Sequence, residues 1–260
     1  MHPAGSQHRR LAPGAPAAAA VAALLVDQRD RDVRGVALPR PEIHIVARLG
    51  PSVPGGLDLH AMGVRQRVHR KLLRRGQRAV TVRLRLGAPE AVLGVPASAL
   101  ADRIVPLDEL WGGAPTGRVL QRLADAPDLI AAAAILESAI AERVARANAG
   151  RPGVRLALDA ADRLVRASVN AVAAELAVSD RHLRRVFRET VGVSPKAFAR
   201  MARFRRALGA ARAGGHGGWA SIAAAAGYYD QAHLIADFRA IAGVTPQALV
   251  DELHAAPPLD

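Results

Sequence analysis

Residues 168–195 read SVNAVAAELAVSDRHLRRVFRETVGVSP, and residues 219–246 read WASIAAAAGYYDQAHLIADFRAIAGVTP. The two stretches have nearly the same punctuation, and that repetition decides the fold of the C-terminal part of the chain. In the first, Ser168 is placed to cap a short helix, VNAVAAEL, and Ser179 to cap a second, DRHLRRVFRET, after a tight connection at Ala177-Val178. Leu183, Val186 and Phe187 fall on one face of the second helix, and Arg181, Arg184, Arg185 and Arg188 fall on the others. Gly192 is placed to end that helix in the left-handed conformation, after which Ser194 caps and Pro195 opens the next one. Two short helices joined by a turn of a few residues, the second with an apolar stripe and a polar outer face, make a helix-turn-helix pattern.

The second stretch answers the first. Ile222 to Ala226 matches Val172 to Leu176 at an offset of 50, with Gly227 standing where Ala177 stood. The turn then gains Tyr229 and the offset becomes 51: Leu234 answers Leu183, Phe238 answers Phe187, Gly243 answers Gly192, and Thr245-Pro246 answers Ser194-Pro195. Between the copies, PKAFARMARFRRALGAAR reads as one amphipathic connecting helix ended by Gly214-Gly215. The units are therefore expected at about 168–192 and 219–243, with the connecting helix at about 195–213.

Taken together these residues resemble the DNA-binding domain of AraC/XylS-type transcription regulators, over about 154–253, with the signature A-x-x-x-G-Y-x-D-Q-x-H-L-x-x-x-F-x-x-x-x-G-V-T-P at Ala223 to Pro246. The resemblance implies one rigid unit whose two recognition helices enter successive major-groove segments, a geometry that places them roughly 34 Å, or one turn of DNA, apart. Carried over onto matching positions, base-facing residues are Arg181, Arg184 and Arg185 in the first unit, and Gln231, Ala232, Ile235 and Ala236 in the second. Arg188, Lys196 and Arg239 complete the expected DNA-binding set. Arginine can read guanine through two hydrogen bonds, or it can grip phosphate only, and both readings stand at this point. Gln231 could read adenine, and Ile235 or Ala236 could touch a thymine methyl. Equally, the second helix could only complete the packing, since family members often carry polar or basic residues at its last two positions. His182 and His233 recur at the same frame position and read as helix-packing residues.

The two halves differ in charge. Residues 179–206 hold nine basic residues against Asp180 and Glu189, whereas residues 219–250 hold Arg239 alone against Asp230 and Asp237. Attraction to phosphate dominates nonspecific DNA affinity, so the first unit and the connecting helix are expected to hold the duplex.

Working outward, the chain of 260 residues is long enough for two domains, and its net charge of +13 suggests a polyanionic partner. Of the 36 basic residues all but Lys71 and Lys196 are arginine, a bias that GC-rich coding could also produce, so the placement of charge carries more than its sum. The absence of cysteine excludes disulfides, thiolate metal sites and cysteine nucleophiles, including the nucleophile that alkyl-transfer repair domains fused to related modules would need. No phosphate-binding loop, nucleophile elbow or telling carboxylate pair is present, so no enzymatic activity and no cofactor are expected. No apolar stretch reaches the roughly 20 residues a membrane crossing requires. Pro13 and Pro16 interrupt the Ala-rich run to Val26 and argue against a signal peptide, so a cytoplasmic location is expected.

Residues 1–20, rich in Pro, Ala and Gly, read as flexible. From about 33 to 105 short alternating stretches, such as AVTVRLRLGAP with Val80, Val82, Leu84 and Leu86 on one face, predict β-strands. VLQRLADA and DLIAAAAILESAIAERVARANAG then predict helices, with a break at Asn148 to Gly153. The fold class expected is α+β: a mainly β domain with trailing helices over 21–150, and an all-α domain over 151–260. The stretch RGQRAVTVRLRLGAPEAVLGVPASALADRIVPLDELWG, preceded by LPRPEIHIVARLG, resembles the N-terminal domain of one subset of these regulators, implying a sensing or dimerisation role. The Ala-rich helix could serve as core or as a dimer face. Arg65 to Arg85 carries nine basic residues and no acidic one, which reads as a solvated face, an anionic-ligand site or an extra DNA contact. His44, His60 and His69 lack metal-ligand spacing and read as structural.

The expected function is a sequence-specific transcription regulator, an activator, with double-stranded DNA and RNA polymerase as partners. A small-molecule effector and a homodimer are open expectations. The alternative is a nonspecific or architectural DNA-binding protein gripping through its first unit alone.

Overall fold

A computed structural model describes residues 7–15, 17–147, 152–214 and 218–256. Among the described residues the strands are β1 (Gln7–Leu11), β2 (Val21–Gln28), β3 (Val33–Ala37), β4 (His44–Leu49), β5 (Leu57–Met62), β6 (His69–Leu73), β7 (Arg78–Leu84) and β8 (Ile104–Pro106). Six of them form one antiparallel sheet in the order β1-β2-β7-β4-β5-β8, and β3 pairs with β6 as a separate two-stranded ribbon. Val80, Val82 and Leu84, the alternating residues of the sequence pattern, are fully buried on β7 because that strand lies between β2 and β4 at the centre of the sheet.

The expectation of a flexible segment over 1–20 is corrected for its described part. Gln7 to Leu11 pairs with Gln28 to Leu24, and Ala17 and Ala20 are buried. QHRRL has one apolar residue and no visible alternation, so only the offer of hydrogen bonds along the free edge of β2 makes it a strand.

The helices are α1 (Pro89–Leu93), α2 (Leu107–Trp111), α3 (Gly113–Ala124), α4 (Leu129–Arg146), α5 (Pro152–Leu164), α6 (Val169–Glu175), α7 (Asp180–Val191), α8 (Pro195–Arg212), α9 (Gly218–Ala226), α10 (Gln231–Ala242) and α11 (Pro246–Ala255), with a 3₁₀ turn at Ala97–Leu100. The architecture is α+β, with the sheet ahead of an all-helical C-terminal region. Helix α4 lies against β2 and β7 and buries Ala132, Ala133, Leu136, Ala139 and Ile140. That side of the helix is spent on the core, while Ile130 is left exposed and Ile135 and Val144 are partly buried. The break expected at Asn148 to Gly153 falls outside the described residues over 148–151, and so does Gly215.

Two apolar cores result. One runs from the sheet through α5 and into the first helix-turn-helix unit, including Leu183, Phe187 and Phe198. The other is built of Phe204, Leu234, Phe238, Ile241, Leu249 and Leu253 from the second unit and the end of α8. Val36 of β3 is buried in this second core, although it belongs to the ribbon far earlier in the chain.

Candidate nucleic-acid interface

The recurring punctuation builds two alike joints. Ser179 Oγ accepts a hydrogen bond from the His182 amide at 3.2 Å, and Asp230 Oδ1 accepts one from the His233 amide at 2.7 Å, so each recognition helix starts on a side-chain cap. Each ends on a left-handed glycine, Gly192 at φ +91° and Gly243 at φ +75°. The bracing helices α8 and α11 then start on Ser194 and Thr245, which accept from the amides of Ala197 and Ala248. The cap at Asp230 goes beyond the sequence reading, though an acidic residue before QAHL is a usable N-cap signal. At the turn inside each unit the chain also goes left-handed: Gly227 at φ +82° does so at no cost, while Ala177 at φ +54° carries the same conformation with a side chain attached.

On α7, Leu183, Val186 and Phe187 are buried and Arg181, Arg184, Arg185 and Arg188 are exposed. Arg184 pairs with Asp180 at 3.1 Å and Arg185 with Glu189 at 3.3 Å, both one helical turn away on the same exposed face. Such exposed pairs are worth a few tenths of a kcal/mol, so a phosphate or guanine can displace them. Lys196, at the start of α8, is exposed as well. On α10, Gln231, Ala232, Ala236 and Arg239 are exposed and Ile235 is partly buried against the second core. The structure therefore leaves all ten sequence-selected positions at least partly accessible, nine on the outer sides of α7 and α10 and Lys196 at the start of α8.

The packing role expected for His182 and His233 is corrected in part. Both are exposed; His182 Nδ1 sits 3.4 Å from Arg185 Nη2, and only His233 packs, edge-on at 5.2 Å to the Tyr228 ring. A position one residue before the Leu anchor turns the side chain off the apolar stripe.

Sequence reasoning misses the residue that ties the second unit to the connecting helix. Arg200 of α8 donates to Asp237 of α10 through Nε at 2.7 Å, and Asp237 is buried while its Oδ2 finds no hydrogen-bond partner among the described residues. Burial, and then the Asp237 carboxylate, push the Tyr228 phenol up, while the Arg203 guanidinium lies 5.6 Å over its ring. Arg206 donates from α8 both to the Val165 carbonyl and to the Ala226 carbonyl, the latter at 2.7 Å. The arginines of α8 are thus divided: some are structural ties, and their positive charge is not all available to DNA.

A second feature lies in the N-terminal domain, where the ribbon β3–β6 faces the sheet across a pocket of about 200 Å³. Its apolar wall includes Leu25, Val46, Met62 and Leu73; its polar wall includes Arg40, Arg65 and Lys71 beside Glu42, His44 and His60. Burial, and then the charges of Arg83, Arg40, Arg65 and Lys71, bring His44 down to about 3. His60 is lowered as well, chiefly by burial and against the pull of Asp58, whose Oδ1 lies 3.3 Å from its Nδ1. Lys71, lowered to about 8 by desolvation and then by the charges of Arg65 and Arg48, is nonetheless an exposed residue on the ribbon. The Glu42 Oε2 and His44 Nε2 atoms are buried without a hydrogen-bond partner among the described residues. The basic stretch 65–85 is consequently not a plain solvated face: Arg65 and Lys71 line this pocket, Arg83 is buried, and Arg70 reaches the C-terminal domain. Among the described residues no group of three or more His, Cys, Asp or Glu could hold a metal ion, and no helix is long and apolar enough to cross a membrane.

Two capped, glycine-ended helices presenting outer faces from one helical body define the C-terminal region as a helix-turn-helix domain. Residues 172–251 match the family model described as a helix-turn-helix domain, and the stretch Ala223 to Pro246, which resembles the AraC/XylS signature, lies within that span. Among solved structures, the chain is similar to ToxT from Vibrio cholerae O395, at 11% identity over 88% of this chain and 96% of that one, with a TM-score of 0.41. It is similar to unsaturated fatty acid bound wild-type ToxT from V. cholerae strain SCE256 at 10% identity over 91% and 98%, with a TM-score of 0.44. A third such structure is ToxT from V. cholerae O395 bound to (E)-4-(8-methylnaphthalen-1-yl)but-3-enoic acid, at 11% identity over 88% and 97%, with a TM-score of 0.42. No curated protein matches the chain.

Proposed function

We propose that this protein is a sequence-specific, DNA-binding transcription regulator of the AraC/XylS type, in which the first recognition helix and α8 grip the duplex and the second recognition helix adds a smaller share. The observation that carries the reading is the paired build of α7 and α10: a side-chain cap at each start, a left-handed glycine at each end, outer faces left accessible. The charge on those faces sets the division of labour. Arg181, Arg184, Arg185, Arg188 and Lys196 draw phosphate and can read guanine, whereas Gln231, Ala232, Ile235 and Ala236 offer one amide and a small apolar surface beside Arg239.

The N-terminal domain senses a small effector in the pocket between the ribbon and the sheet. Arg40, Arg65 and Lys71 favour an anionic group on that molecule, and Leu25, Val46 and Leu73 favour an apolar body. Activation of transcription through RNA polymerase, a cytoplasmic location, self-association as a dimer and the absence of catalysis belong to the same reading.

The test is selection of duplexes from a random pool by the full chain, followed by binding of selected and scrambled DNA across a salt series. A regulator of this type prefers its selected sequence by at least about 10³-fold, with log affinity falling linearly in log salt. Equal affinity for selected and scrambled DNA at every salt concentration would leave the architectural alternative instead.

A further inference from the structure

The two helix-turn-helix units are attached to the N-terminal domain in different ways. The first shares its core with the sheet, and its joint is closely covered: a methyl group added at Gly192 would lie 3.0 Å from the Ala97 carbonyl oxygen and 3.1 Å from Val64 Cγ2. The second has a core of its own, reached from the N-terminal domain by the ribbon and the segment before it. That segment, Gly63 to Leu73, passes both joints. Val64 sits on Gly192, the Val68 amide donates to the Ile241 carbonyl at 2.9 Å, and Arg70 donates to the Ala242 carbonyl at 3.0 Å. Arg70 also holds Glu252 of α11 through two bonds, of 2.6 and 2.7 Å. The last carbonyls of a helix have no partners within it and form the negative end of its dipole, so an amide and a guanidinium from another domain complete the end of α10.

The same strand carries the pocket. Successive residues of a strand point to opposite faces, so Lys71 and Leu73 face the pocket with Ala37, while Arg70 faces the second unit with its cross-strand partner Val36. One two-stranded ribbon is therefore the wall of the pocket on one side and the mount of the second unit on the other, and among the described residues it is hydrogen-bonded to no strand of the main sheet.

We propose that segment Gly63–Leu73 transmits pocket occupancy to the second helix-turn-helix unit, so that filling the pocket re-sets the placement of α10 relative to α7 while the first unit stays fixed to the sheet. This rests on the regulator reading above. Displacement of Lys71 and Leu73 by an occupant moves Arg70 and Val68 with them, because both faces belong to one thin ribbon that cannot shift one face alone. A change in the spacing of the recognition helices alters binding to DNA that engages both and leaves binding to DNA that engages one untouched.

The experiment uses occupancy mimics in the full chain. Thr81→Trp and, separately, Ala79→Phe fill the pocket from β7, the wall opposite the ribbon. Affinity is measured for a selected duplex and for one scrambled under the second unit, and amide exchange is followed at Val68. The expected result is a change of about tenfold on the full duplex, less than twofold on the half-scrambled one, and altered Val68 exchange. In the Arg70→Ala/Glu252→Ala background the tenfold change should shrink below twofold. A change of equal size on both duplexes, a change that survives in that background, or no change from either folded filling variant would overturn the proposal. Loss of sequence preference in the unmodified chain would instead sink the regulator reading, so the two failures are distinguishable.

Discussion

Replacing Arg200 tests whether the second recognition helix is held by a specific buried tie. Asp237 is 7% exposed, so taking away its partner leaves a carboxylate with little access to water. Breaking a fully buried ion pair from one side costs about 3–5 kcal/mol. The Arg200 side chain is 40% exposed, which lets solvent into the vacated space and brings the expectation for Arg200→Ala to about 2–3 kcal/mol. Asp237→Ala leaves an arginine able to turn outward and should cost about 1 kcal/mol, and Arg200→Met/Asp237→Leu, which removes both charges, should lie within about 1 kcal/mol of the parent. Urea unfolding followed by Trp219 fluorescence reads this region, since that indole lies edge-on to Phe238 at 6.2 Å in the second core. Binding to the selected duplex should weaken in Arg200→Ala more than binding to DNA scrambled under the second unit. If Arg200→Ala cost less than about 1 kcal/mol, or if the single losses simply added in the double variant, the claim that a buried charge pair mounts α10 on α8 would be refuted.

Three further outcomes are expected. Arg184→Ala or Arg185→Ala should each cost about 1–3 kcal/mol on the selected duplex and relax a base preference, and Ile235→Ala should cost under about 0.5 kcal/mol, measured by fluorescence anisotropy; the reverse ranking would undo the assignment of roles to the two units. Ala177→Gly should stabilise the protein by up to about 1 kcal/mol in thermal melts by relieving the left-handed alanine, and Gly227→Ala should destabilise it by a similar amount, since it puts a side chain on a backbone at φ +82°. With His44 lowered to about 3, the unfolded chain binds the extra proton between about 3 and the ordinary histidine value near 6.5, so stability falls as pH drops through that window by up to about 1.4 kcal/mol per pH unit. His60 adds to the same slope. His44→Leu should flatten this acid limb in urea titrations at several pH values, and an unchanged slope would count against burial of a neutral imidazole.

The C-terminal domain is legible in the sequence because its signals are local. Ser168, Ser179, Ser194 and Thr245 cap the helices they precede, and Gly192 and Gly243 end the ones they follow, as their spacing predicts. Each of these acts within a turn or two of its own position, so order in the chain is enough to find it. Strand β1 is not legible, because QHRRL becomes a strand only when β2 offers its edge. Arg200 and Arg70 look like members of basic runs. Their partners stand 37 and 182 residues away, and no periodicity in a sequence reports a contact at that distance.

What the sequence determined by itself is the pair of joints and the unequal chemistry of the faces they support, arginine on α7 and alanine, isoleucine and glutamine on α10. Capping, left-handed glycine and helical periodicity are short-range physics, and they are written residue by residue. The tertiary structure alone decided how the joints are held: the first built into the core of the sheet, the second mounted on a ribbon whose other face lines a pocket. That difference comes from burial and long-range pairing, in which Val64 finds Gly192 and Arg70 finds Glu252 only after the chain has folded back on itself.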